Sequence, residues 1–196
     1  MIVIGVPTTG SIPVKVIGSI ESVLLSRKDV VPYYIEGSLV YDARAKIVNY
    51  ALQKGADLLF LDSDIQFSLE AFNSLIGRDT DVVSGLYYSR HKPSYPVAYK
   101  TVKPQTIFRP AKIETITEIR PYMEVAGAGL GFCLIKNRVL KALPENVNPF
   151  EPFGGLGEDF CFFLRLRKKG YKVMLDTTFE LQHLGEYGYT AIDCEG

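Results

Sequence analysis

The chain has 196 residues and a mass of 21.9 kDa, with 47% hydrophobic, 22% charged and 12% aromatic residues. That composition excludes a disordered tail or a fibre, and a domain this long buries roughly 70% of its unfolded surface without a disulfide or metal staple. Its 22 Lys and Arg cancel its 22 Asp and Glu, so no direct nucleic-acid binding is expected of a chain without basic excess.

The first half alternates short apolar runs with amphipathic segments. Residues 2–6 read as a buried strand that Pro7 stops. Residues 13–28 carry Val16, Ile17, Ile20, Val23 and Leu24 at helical spacing, and residues 30–35 form a β-branched and aromatic strand. A helix follows over 42–54, with Ala43, Ile47, Val48 and Ala51 on one face and Gly55 as its C-cap. Leu58-Leu59-Phe60-Leu61 is a strand, Ser68 caps a helix reaching Ile76, and residues 81–86 form another strand. The order βαβαβαβ, with strands apolar on both faces, predicts an α/β fold with one open, mostly parallel sheet flanked by helices.

The second half reads differently. Residues 93–121 are rich in Pro, Thr and Lys, with alternation suited to hairpin or meander strands. A strand over 131–136, a short helix over 137–143 and a longer helix over 157–169 follow. The last ends in a basic turn before Gly170. Cys133 and Cys161 sit in apolar surroundings and Cys194 stands apart, so buried free thiols are expected rather than a disulfide or zinc framework. The N-terminus lacks a signal-peptide pattern, and no apolar stretch approaches the ~20 residues of a membrane span. A soluble, cytoplasmic protein is expected.

The sharpest chemical signal is Asp62-Ser63-Asp64, placed where the strand 58–61 emerges. Side chains two apart on an extended chain point the same way, so both carboxylates can converge on one ion. Ligands of open α/β sheets bind beyond the carboxyl ends of the strands. Carboxylates with phosphate oxygens form a hard site for Mg²⁺ or Mn²⁺. An Asx-rich turn is the plainer reading of the same triplet. A second pair, Glu158-Asp159, opens a helix after the loop Gly154-Gly155-Leu156-Gly157. These acids either compensate the helix dipole or supply a general base. His183 reads as a surface residue after a strand, or as a nitrogen ligand that favours Mn²⁺. Arg44 pairs either with a phosphate or with Asp42. His91, in Tyr87-Tyr88-Ser89-Arg90-His91, is less suggestive. Gly127-Ala128-Gly129-Leu130-Gly131 matches no dinucleotide fingerprint, and no P-loop or nucleophile elbow is present.

Taken in order, these segments resemble a metal-dependent nucleotide-sugar glycosyltransferase of the GT-A fold, closest to family 2. The carrying residues are Ala43-Arg44, Leu59 to Ile65, Asp81 to Tyr88, Gly127 to Phe132, Gly157 to Cys161 and His183. The compactness is similar to that of small glycosyltransferases of archaeal viruses, which places a viral chain in the host cytoplasm. The resemblance implies a single domain over 1–196, with a nucleotide-sugar half to about residue 90 and a smaller acceptor-side half beyond. It implies that Asp64 ligates Mn²⁺ (or Mg²⁺), that Asp62 binds ribose or the metal through water, and that His183 completes the coordination. It also implies that Pro7, Thr8 and Glu36 hold the base, that Arg44 and Ser63 lie near the nucleotide, and that Gly127 and Gly129 border sugar and acceptor. Asp159, beside Glu158, takes the role of catalytic base in an inverting transfer. The donor would be a UDP- or GDP-sugar and the acceptor a glycan, a protein or a lipid-linked group.

Two other classes compete. A sugar-phosphate nucleotidyltransferase needs a Gly-rich loop with an arginine after the first strand, whereas residues 7–13 hold no basic residue. A non-catalytic nucleotide- or sugar-binding module would have no need of both carboxylate pairs and His183.

Overall fold

The computed structural model describes residues 1–37, 39–144, 147–185 and 188–189. β1 (Ile2–Thr8), α1 (Val14–Ser26), β2 (Val30–Glu36), α2 (Val40–Lys54) and β3 (Asp57–Leu61) open the chain. β4 (Ile65–Gln66), α3 (Leu69–Ile76) and β5 (Val82–Gly85) follow. Next come β6 (Ala98–Lys103), β7 (Lys112–Thr115), β8 (Tyr122–Val125), β9 (Gly127–Ala128) and β10 (Phe132–Ile135). α4 (Asn137–Lys141), α5 (Glu158–Lys168), β11 (Val173–Asp176), β12 (Gln182–Leu184) and β13 (Gly188–Tyr189) complete the described chain.

Seven strands form one sheet in the order β2-β1-β3-β10-β5-β11-β8. β1, β2, β3, β5 and β11 run the same way, while β10 and β8 run against them. The expected strands therefore share one mostly parallel sheet. β10 enters between β3 and β5 because all four of its residues are apolar and buried, which only a central position satisfies. The sheet draws strands from both halves of the chain.

The alternation of each strand divides the core into two layers. Val3, Leu58, Phe60, Val82, Cys133 and Ile135 pack with α2, α4 and α5. Ile2, Ile4, Val6, Leu59, Leu61, Val83 and Leu134 pack with α1 and α3. Gly5 sets how closely α2 approaches: a Cβ there would stand 2.2 Å from Ile47 Cγ2. The caps agree with expectation. Ser68 Oγ accepts from Ala71 N at 3.1 Å, and Gly55 ends α2 with a φ of 61°.

Two details depart from expectation, and a third, the expected hairpin after β5, stands outside the main sheet. β1 continues through Pro7 to Thr8, because β3 pairs with β1 only as far as Gly5↔Phe60. Beyond that point the missing N–H breaks no bond on the β3 side. His183 does not follow a strand but lies within β12, whose pairing with β4 sets His183 opposite Ile65. The segment after β5 supplies the hairpin β6–β7, which forms a separate three-stranded sheet with β9. Cys133 and Cys161 are free and buried, while Cys194 lies outside the described residues. Among the described residues no helix is long and apolar enough to cross a membrane.

Candidate functional site

β3 ends at Leu61, and Asp62 leaves the carboxyl edge of the sheet with its N–H bonded to Gly131 O at 2.9 Å. The chain then turns, with Ile65 N donating to Asp62 O at 3.1 Å. Residues 62–64 form a turn rather than the extended run that the D-x-D spacing predicts, and the two carboxylates line one cleft but take different partners. Asp62 Oδ1 accepts from Arg44 Nη2 at 2.9 Å. Asp64 Oδ2 instead lies 3.0 Å from Arg90 Nη1 and 3.5 Å from His183 Nε2.

Arg44 is the hub. It sits on α2 one turn before Ile47, the residue seated over Gly5, and its side chain is only 3% exposed. Nη1 donates to Glu158 Oε1 at 3.1 Å and to Asp159 Oδ1. Neither phosphate nor Asp42 is therefore needed to explain it; Asp42 Oδ1 accepts from Asn148 Nδ2. Burial works against a charged guanidinium, but Asp159, Asp62 and Glu158 outweigh it and hold Arg44 firmly protonated. Arg44 Nε is buried without a partner among the described residues.

Glu158 and Asp159 form the first turn of α5 after Gly157. Asp159 Oδ2 also accepts from Leu130 N at 3.2 Å. Burial, helped by Glu158 and Asp62, holds the Asp159 carboxyl up at about 7 against the downward pull of Arg44 and the Leu130 N–H. One guanidinium shared by three carboxylates cannot hold all three in the ordinary range.

The His183 ring is fixed from two sides. Nδ1 stands 2.8 Å from the Tyr88 carbonyl, which can only accept, so Nδ1 carries the hydrogen. Nε2 is then the ring nitrogen left facing Asp64, a donor to that carboxylate when protonated and a lone pair for an ion when not. Tyr87 packs edge-on against the same ring at 5.3 Å. Burial draws the Asp64 carboxyl up, but His183 and then Arg90 outweigh it, and the net shift is downward. The surface reading of His183 does not hold, since the ring is 14% exposed.

Arg44, Asp62, Asp64, Arg90, Glu158 and His183 line a cleft of about 340 Å³ together with Pro7, Thr8 and Ser63. A smaller hollow of about 150 Å³ lies on the other side of Glu158 and is lined by Asp159, Tyr99 and Phe160. A groove of about 520 Å³ between α2 and α4 is larger, but its described lining contains no acid or histidine.

Three of the expected residues lie elsewhere. Glu36 faces a separate hollow with Asp42 and Lys46. Gly127 is buried, with Val102 and Phe163 where a Cβ would point. Gly129 is also buried and makes room for Tyr87, whose Oη would stand 1.8 Å from a Cβ. Arg90 and Tyr87 are the residues that sequence reasoning missed. Their signal was the basic aromatic loop after β5, which opens at the same sheet edge as Asp62.

Among the described residues, Asp62, Asp64, Glu158 and Asp159 thus pair with two guanidiniums, Arg44 and Arg90. Among the described residues no three acidic, His or Cys side chains are grouped to hold a metal. Asp64 and His183 do form a mixed oxygen and nitrogen pair, and that donor set fits a divalent ion completed by ligand oxygens.

No family model and no curated protein matches the chain. Among solved structures it is similar to the protein A197 from STIV, with 21% identity and a TM-score of 0.69 over 94% of this chain and 85% of that one. It is also similar to GalNAc-T7, solved with UDP, GalNAc and Mn2+, at 10% identity and a TM-score of 0.59. That match covers 94% of this chain and 44% of the longer protein. At such identities the likeness is one of fold, and the fold is GT-A-like.

Proposed function

We propose that the chain is a glycosyltransferase that moves a sugar from a UDP- or GDP-sugar to an acceptor hydroxyl, with inversion and with the help of Mn²⁺ or Mg²⁺. The observation that carries this reading is the charge balance at the sheet edge, where among the described residues four carboxylates pair with two guanidiniums. A nucleoside diphosphate is itself anionic, so it enters such a cleft together with a cation. Asp64 and His183 would hold the ion, which when bound neutralises charge developing on the leaving diphosphate.

The chain's own residues divide the remaining work. Pro7, Thr8 and Ser63 line the side of the cleft where the nucleotide lies. Arg44 ties Asp62, Glu158 and Asp159 to one point, so the donor wall and the base keep a fixed spacing. Asp159 faces the smaller hollow, where Tyr99 and Phe160 offer aromatic surface to an acceptor. There the acceptor oxygen bonds to the anomeric carbon and the bond from that carbon to the diphosphate oxygen breaks. The acceptor proton passes to the Asp159 carboxylate. A base that titrates near the working pH is well matched to that transfer. Residues to about 90 supply the donor wall and the later residues the acceptor side.

A hydrolysis screen across nucleotide sugars, with Mn²⁺ and with chelator, tests the reading. Metal-dependent release of UDP or GDP from one donor class is expected. No release from any donor, together with no shift in melting temperature on adding Mn²⁺ and nucleotide, would overturn it.

A further inference from the structure

The tip of the β6–β7 hairpin carries Ile107 and Phe108, which are 96% and 91% exposed. The turn is tight: Thr106 N donates to Arg109 O at 2.8 Å and Arg109 N to Thr106 O at 3.3 Å. Both side chains project from the molecule. Lys100, Lys103, Arg109 and Lys112 are exposed along the same hairpin, and Glu114 is its single acid. That acid is already paired with Lys112 at 2.9 Å. A chain with no net charge thus concentrates cations around its most exposed apolar pair.

We infer that this hairpin tip docks the protein on an anionic lipid surface, with Ile107 and Phe108 entering the headgroup boundary and Lys100, Lys103 and Arg109 resting on the headgroups. Apolar side chains with flanking Lys and Arg are the combination that binds such an interface. Two residues on a narrow turn offer far too little area for a stable protein interface, which needs about 800 Å² per partner. Ile107 has no ring to stack on a nucleic-acid base, so a single-stranded polymer is the poorer match. The hairpin is also firmly attached to the site. Gln105 N donates to Gly154 O in the loop before α5, and the Tyr99 ring packs edge-on against Phe160 at 4.7 Å. Docking at the tip would accordingly orient the Asp159 hollow relative to the bilayer, which suits a lipid-linked acceptor. That last consequence rests on the transferase reading, but docking itself does not, since it is measured without donor or acceptor.

Co-sedimentation of the full chain with vesicles tests the inference, using phosphatidylcholine alone and phosphatidylcholine mixed with phosphatidylglycerol. The wild-type chain should partition onto the mixed vesicles, and more weakly as salt rises. Ile107→Ser with Phe108→Ser should lower partitioning by about tenfold or more. Lys103→Ala with Arg109→Ala should lower it by roughly thirtyfold on the mixed vesicles and leave phosphatidylcholine unaffected. Both variants change exposed side chains of the hairpin, so their melting temperatures should match the wild type. Absence of wild-type partitioning overturns the inference, as does equal partitioning of the Ile107/Phe108 variant. So does stronger binding to a single-stranded RNA than to the mixed vesicles. A dimer that becomes monomeric in the Ile107/Phe108 variant, without vesicle binding, would assign the tip to a second copy instead.

Discussion

His183 reaches Asp64 through strand pairing. β12 lies antiparallel to β4, and Nε2 comes to 3.5 Å from Asp64 Oδ2 while Nδ1 is held by the Tyr88 carbonyl. If this pair holds the ion, Asp64→Ala should lose Mn²⁺-dependent nucleotide binding yet keep its fold, because Asp64 contributes nothing to the apolar core. At a nucleotide concentration one hundred times Kd, the wild type should gain about 2.7 kcal/mol of stability. The variant should gain none. Melting curves with Mn²⁺ and UDP or GDP decide it, and an undiminished shift in Asp64→Ala removes the metal assignment.

Asp159→Asn keeps the shape of the side chain while abolishing its basicity. Turnover should fall by roughly 10²–10⁴, with donor affinity unchanged, the range expected for loss of a general base. A variant that turns over normally, or a product that retains the donor's anomeric configuration, contradicts the assignment.

The pH dependence follows from the same residue. Asp159 titrates at about 7 in the folded chain and near 3.9 unfolded. Between those values the folded state holds a proton that the unfolded chain has released. Stability of the metal-free protein should therefore fall as pH rises from about 4 to about 7, then level off. Urea unfolding at a series of pH values should show this slope, and Asp159→Asn should flatten it. Activity should move the opposite way, rising through about pH 7 as the carboxylate becomes available. A wild-type slope as flat as the variant's refutes the assignment of this titration.

Arg44→Met removes the one cation shared by Asp62, Glu158 and Asp159. Breaking a buried ion cluster from one side leaves charges uncompensated and should cost about 3–5 kcal/mol. Asp159→Asn, which relieves the same crowding, should cost much less. Chemical denaturation of the two variants at pH 8 makes the comparison, and similar losses would show that Arg44 is not the hub.

Gly129→Ala tests whether the glycine run serves packing or the donor. A Cβ there would overlap Tyr87 Oη, so overpacking should cost about 1–3 kcal/mol even without nucleotide. An unchanged melting temperature would return Gly129 to the cleft.

Much of the fold was legible along the chain because its cause is local. Leu58 to Leu61 are apolar on both faces, which requires a covered central strand, and Ser68 and Gly55 act within one turn of their own positions. Asp62, Asp64, Glu158 and Asp159 could be named for the same reason, since strand mouths and helix starts are marked by their neighbours.

Their partners could not be named. Whether Asp62 turned towards Asp64 or towards Arg44 depended on a turn closed by Ile65 N and on how closely α2 settles over Gly5. Whether His183 was a surface residue depended on which edge β12 paired with. Chain composition and spacing determined which residues stand at the edge of the sheet. The tertiary structure alone decided which charges share a site, because Coulombic pairing and burial depend on distances between segments more than a hundred residues apart, such as Arg44 and Asp159.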